Sequence, residues 1–100
     1  MSSLTELQVL RNSKALDLVI KIDVWNQGID DVSLLRRMPA LEVILLSENI
    51  IDDRALEHIG AGCLNLRELY MRKNRVTKIE SIGWLRGLPI SHLWLAENVS

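Results

Sequence analysis

Apolar residues recur along this chain in one spacing, read four times. Residues 66–76, LRELYMRKNRV, set Leu66, Leu69, Met71 and Val76 on the frame L-x-x-L-x-L-x-x-N-x-L, with Asn74 at its polar position. LEVILLSENII repeats it with Leu41, Ile44, Leu46, Asn49 and Ile51. ISHLWLAENVS does so with Ile90, Leu93, Leu95 and Asn98, Ser100 standing where an apolar residue belongs. A weaker copy, VIKIDVWNQGI, carries Val19, Ile22, Val24 and Ile29, with Gln27 in the polar place. First positions at 19, 41, 66 and 90 are separated by 22, 25 and 24 residues.

Each L-x-L core alternates with period two, which predicts a short strand with one face buried. Copies spaced this way stack their strands into a parallel sheet, and the frame is that of a leucine-rich repeat. The predicted fold is an α/β solenoid of about four leucine-rich repeats. A short parallel sheet lines its concave face, and short helices or 3₁₀ turns line its convex face. The polar position follows from the backbone. Where the chain leaves a strand, its N–H and C=O groups point inward without a partner, and burying them unpaired is costly. A carboxamide offers donors and an acceptor and can bridge adjacent turns. Asn49, Asn74 and Asn98 are therefore expected to form a structural ladder.

Residues 1–18 read as an N-terminal capping helix, and residues 19–100 as the repeats. Leu4, Leu7, Val9, Leu10 and Leu16 fall at helical spacing over residues 3–18, with Ser2 or Ser3 as the cap. Such a helix would cover the open edge of the first strand. Behind the strands, Leu34, Leu35 and Met38 share one helical face that stops at Pro39. Residues 52–59 form a second such segment, ended by Gly60 and Gly62, and residues 78–88 a third with Ile79, Ile82, Leu85 and Leu88 inward. Asp30-Asp31 and Asp52-Asp53 look like paired carboxylates, but they recur at one place after the strand and read as helix caps. After Asn98 no capping helix is expected. Either the natural protein continues past Ser100, or a partner or second copy covers the edge, so self-association there is one expectation.

Composition narrows the function classes. One hundred residues make at most one domain, 48% of them hydrophobic, with no apolar run long enough to span a membrane. A net charge of −1 gives no reason to expect polyanion binding. The lone Cys63 precludes an internal disulfide and reads as a small buried apolar thiol, fitting a reducing, intracellular setting. His58 and His92 lie far apart in the repeat frame, with neither Cys nor Asp at metal spacing. Glycine-rich phosphate loops and nucleophile-elbow or zinc-protease motifs are absent. The expectation is a protein without enzymatic activity or cofactor.

Function is then sought at strand residues that period two sends outward. Row by row these are Lys21, Val43, Glu68 and His92; Asp23, Leu45, Tyr70 and Trp94; Trp25, Ser47, Arg72 and Ala96. Aromatic residues and Arg on a rigid face are the composition of binding hot spots. A concave protein-binding site of Asp23, Trp25, Leu45, Tyr70, Arg72, His92 and Trp94 is therefore expected. The alternative is that the rings shield the sheet or touch the N-terminal cap. Trp84 falls on the convex side, where packing is its expected role. Arg67, Arg72, Lys73, Arg75 and Lys78 are either solvated loop charge or a patch for an acidic partner, diluted by Glu68 and Glu80.

Several segments go beyond the generic repeat. MPALEVILLSEN (residues 38–49), LRELYMRKNR (66–75), LRGLP (85–89) and LWLAEN (93–98), with Leu4-Thr5 and Val24-Trp25, resemble the N-terminal repeat domain of the cilia- and flagella-associated protein 410 family. The resemblance implies a non-enzymatic scaffold at the ciliary basal body, cytoplasmic and cytoskeletal, needed for cilium assembly and associated with a NIMA-related kinase. That family continues into a capping segment and a helical oligomerisation region, which this sequence does not carry. A second reading makes the chain a leucine-rich repeat component of a ribonucleoprotein, like the spliceosomal A-prime protein.

Overall fold

The computed structural model describes residues 2–10 and 15–98. Four three-residue strands form one parallel sheet in chain order: β1 (Lys21–Asp23), β2 (Val43–Leu45), β3 (Glu68–Tyr70) and β4 (His92–Trp94). Their register is exact to the residue, with Ile22 opposite Ile44, Ile44 opposite Leu69, and Leu69 opposite Leu93. Every crossover passes through short helical structure, so the chain is a repeat-like α/β fold with a parallel sheet. A 3₁₀ helix, Ser33–Arg37, follows β1; helix α2, Arg54–Gly62, follows β2; a longer 3₁₀ helix, Ile79–Leu85, follows β3.

The core lies between sheet and helices. Ile44, Leu46, Leu69 and Met71 enter it from the strands, Leu35, Met38, Leu56 and Ile59 from behind, and all are fully buried. Gly60 and Gly62 do more than end α2, which runs through Gly62. A Cβ on Gly62 would stand 2.3 Å from the Arg36 Cα, and one on Gly60 2.0 Å from the Trp84 carbonyl oxygen. Both glycines are thus required for α2 to nest between the 3₁₀ helices on either side.

The N-terminal segment departs from a single helix. Residues 2–4 run beside the first turn, where the Leu4 N–H donates to the Asp31 carbonyl at 2.8 Å and the Asp30 N–H to that of Ser2 at 3.0 Å. Helix α1 spans only Glu6–Leu10, and a 3₁₀ turn covers Leu16–Leu18. The rest of the expected helix, residues 11–14, lies outside the described residues. The cap is Thr5 rather than Ser2 or Ser3. Its N–H donates to Gln8 Oε1 at 2.8 Å while Gln8 N–H donates back to Thr5 Oγ1 at 3.4 Å, a reciprocal capping box. Leu4 and Val9 enter the core, but Leu7 is 89% exposed. Ile79, the first residue of the seven-residue 3₁₀ helix, likewise faces solvent, although Ile82 and Leu85, three and six residues on, pack on the core.

Burial of Cys63 pushes its thiol pKa up to about 12, and its S–H donates to the Leu35 carbonyl at 3.4 Å. The aspartates split their work. Asp31 and Asp52 accept the N–H groups of Ser33 and Arg54, starting the segments that follow them. Asp30 instead accepts the Ser2 N–H, and Asp53 reaches into the next turn, accepting from the Thr77 and Lys78 N–H groups at 2.9 Å.

Candidate functional site

Rigidity of the sheet's outward face begins with what pins its turns. Asn49 Oδ1 accepts from the Gln27 and Ile29 N–H groups at 2.9 and 3.0 Å, while Nδ2 donates to the Val24 and Leu46 carbonyls. One turn on, Asn74 accepts from Ile51 N–H and donates to the carbonyls of Leu46 and Met71. Asn98 accepts from Val76 N–H and donates to Met71 and Leu95. Each side chain spans two turns, so groups that the strands leave unpaired are satisfied across the stack. Asn49 and Asn74 are buried and Asn98 is half-buried. Gln27 makes no such rung. It faces outward and accepts from Gln8 Nε2 at 2.8 Å, tying the first turn to α1.

The residue before each polar position has positive φ: Asn26 at 54°, Glu48 at 59°, Lys73 at 58° and Glu97 at 61°. This left-handed step is costly for a residue with a Cβ. At Glu48, Lys73 and Glu97 it turns the next side chain inward, whereas Gln27 after Asn26 faces outward, and it stands Glu48 and Glu97 at the rim of the outward face.

On that face the register sets Lys21, Val43, Glu68 and His92 in one row and Asp23, Leu45, Tyr70 and Trp94 in the next. Trp25, Ser47, Arg72 and Ala96 follow one step along each strand. Leu45 and Tyr70 are half-buried, while Trp94 and Trp25 keep 52% and 53% of their surface exposed. The Tyr70 and Trp94 rings stack with centroids 6.2 Å apart and planes 28° from parallel. The Tyr70 hydroxyl donates to Glu68, a bond that raises its pKa. Trp25 Nε1–H donates to Glu48 at 2.8 Å, and Arg72 Nε–H to Glu97 at 3.0 Å. His92, exposed at the far end, sits 3.0 Å from the Ser91 hydroxyl through Nδ1.

Between these side chains lies an open cavity of about 370 Å³, lined by Asp23, Trp25, Leu45, Ser47, Glu48, Tyr70 and Arg72. Five of the seven residues proposed from alternation therefore meet at one hollow. His92 and Trp94 lie beyond it, Trp94 joined through the Tyr70 stack. Ser47 and Glu48 are the additions. Ser47 was in the outward row, whereas Glu48 reaches the site by the left-handed turn, which the residue names do not advertise.

The positive side chains are partly matched. Arg67 lies 3.9 Å from Glu42, and Arg72 and Lys73 share Glu97 at 3.0 and 3.8 Å. Trp84, expected to pack, contributes its backbone to the contact with Gly60 and remains 54% exposed. Among the described residues no group of three His, Cys, Asp or Glu side chains could hold a metal ion, and no helix is long and apolar enough to cross a membrane.

Fold and face together define an α/β protein of repeat-like build, with an aromatic row laid across a parallel sheet. No family model matches the chain. It is nonetheless a homologue of cilia- and flagella-associated protein 410. The human protein of that name is 43% identical over 98 residues, covering 95% of this chain and 37% of the human one. The mouse protein is 42% identical, with 38% of its length covered. An uncharacterized protein of Caenorhabditis elegans is 39% identical over 98% of this chain and 21% of its own length. The chain thus spans less than two-fifths of each of these relatives.

Proposed function

We propose that the chain is a leucine-rich repeat domain that binds a protein partner on its concave face, without catalysis, as part of a cilium-associated scaffold at the basal body. The observation that carries this reading is the Leu45–Tyr70–Trp94 row, apolar and accessible, on a sheet held by buried carboxamides. A ligand meeting that row loses little entropy to ordering the protein, since the backbone beneath it is already tied turn to turn. The names of the mammalian relatives support a role at cilia or flagella. Cilium assembly and a NIMA-related kinase as the partner extend the reading. The ribonucleoprotein alternative draws less support, because Arg67, Arg72 and Lys73 each have a carboxylate nearby.

The test combines location with surface mutation. A tagged chain in a ciliated cell should concentrate at the ciliary base, and proximity labelling should recover partners that survive RNase. The double substitution Tyr70→Ala with Trp94→Ala should remove those partners while leaving the melting temperature nearly unchanged. Unfolding of the double variant would mean that the rings shield the sheet. Nuclear location with RNase-sensitive partners would transfer the reading to the ribonucleoprotein.

A further inference from the structure

The concave cavity has a chemistry more specific than its apolar floor. Trp25, two residues past the end of β1, and Tyr70, on β3, line the cavity from either side of β2, one row apart along the strands. Leu45 and Ser47 lie between them. Among the described residues the lining includes the Glu48 carboxylate and the Arg72 guanidinium, whose Nε–H is given to Glu97. Glu48 accepts from the Trp25 indole, a neutral donor that fixes the carboxylate at the rim and leaves its charge in place. Among the described residues no cationic nitrogen lies within 4.0 Å of Glu48.

We infer that this cavity receives an arginine side chain of the bound partner segment, the guanidinium lying against the Trp25 ring and pairing with Glu48. The inference rests on the concave-face reading above and names the chemistry of its occupant. A guanidinium is flat, weakly hydrated and forked, so it stacks on aromatic faces and meets a carboxylate with two N–H groups at once. Lysine offers a compact, strongly hydrated charge with less to gain from the rings. An aliphatic or aromatic occupant would cover Glu48 and strip water from a carboxylate that it cannot pair, which is costly.

A displayed library of random peptides, selected on the immobilised chain and counter-selected on its Trp94→Ala variant, isolates peptides that need the concave face. Arginine should be enriched at one position among them, and the enrichment should vanish on Glu48→Gln, which keeps an acceptor for the Trp25 indole. Replacing that arginine by citrulline, its neutral isostere, should weaken binding about tenfold or more on the unmodified chain and far less on Glu48→Gln. Should Glu48→Gln fail to fold, Trp25→Leu serves in its place. Equal binding of the citrulline peptide overturns the inference. Peptides that depend on Trp94 but show no arginine preference overturn it while leaving the concave-face reading intact. If no selected peptide depends on Trp94, both fall.

Discussion

Leu69 and Leu93 hold one register position on neighbouring strands, yet Leu69 is fully buried and Leu93 is 38% exposed. The same contrast separates Asn74, at 4% exposure, from the half-buried Asn98. Residue type cannot explain either difference. Leu69 has a described turn on both sides, whereas Leu93 belongs to the last turn described. On the opposite flank Ile22 is 3% exposed although its strand is outermost, and there Leu4 and Val9 from the N-terminal segment join the core. Burial in this fold is therefore a property of having neighbours on both sides, and the N-terminal segment acts as a substitute turn.

Core truncation along this row should separate the two regions most widely. Leu69→Ala leaves a cavity closed on every side and should cost roughly 2–5 kcal/mol. Leu93→Ala removes a side chain already in partial contact with water, at roughly 1 kcal/mol or less. Urea unfolding midpoints of the two variants measure the difference. Equal losses would show that the last turn is as tightly enclosed as the third.

The carboxamides offer a smaller but sharper contrast. Asn74→Ala strands the Ile51 N–H away from water and takes one donor each from the Leu46 and Met71 carbonyls, which Asn49 and Asn98 still serve, at roughly 1–3 kcal/mol. Asn98→Ala strands the Val76 N–H and the Leu95 carbonyl at a half-open site where water can replace the side chain, so its cost should be about half as large or less. Thermal melts of both variants under one buffer decide it. If Asn98→Ala proves the more damaging, its role extends beyond the turn it bridges.

Much of this architecture is legible in the chain because alternation carries two kinds of information. Period two separates Ile44 and Leu69 from Val43, Leu45, Glu68 and Tyr70, and the repeat length brings equivalent residues opposite one another. The parallel sheet and the membership of its outward rows follow from those two regularities. What depends on distances between turns is hidden. Gly60 and Gly62 look like helix stops until the approach of Trp84 and Arg36 is seen. Thr5 outcompetes Ser2 and Ser3 as a cap because Gln8 answers it from three residues on, while residues 2–4 are taken up by pairing. Asn26, Glu48, Lys73 and Glu97 share a left-handed backbone but no side-chain property, so nothing in their names points to it. The Trp25–Glu48 contact in the candidate site inherits that obscurity.

Charge provides the finest test of how interior turns are joined. Partial burial pushes the Asp53 pKa up, but the Thr77 and Lys78 N–H groups and the Ser81 and Thr77 hydroxyls outweigh it and hold it at about 2, against an ordinary 3.8. A carboxylate with a lowered folded-state pKa contributes stability that is fully present above its unfolded value and is lost as pH falls through the folded one. The Asp53 link between the second and third turns should therefore weaken as pH drops from about 5 toward 2. Asp53→Asn should be less stable than the unmodified chain at neutral pH, and its urea midpoint should fall less over that acid interval. Asp31, lowered chiefly by the Ser33 N–H within its own turn, titrates in the same direction and remains in both proteins as an internal control. A variant whose midpoint falls as steeply as that of the unmodified chain would assign the acid sensitivity elsewhere. Neighbouring turns would then be joined by their apolar columns and carboxamides, with the Asp53 carboxylate contributing nothing measurable.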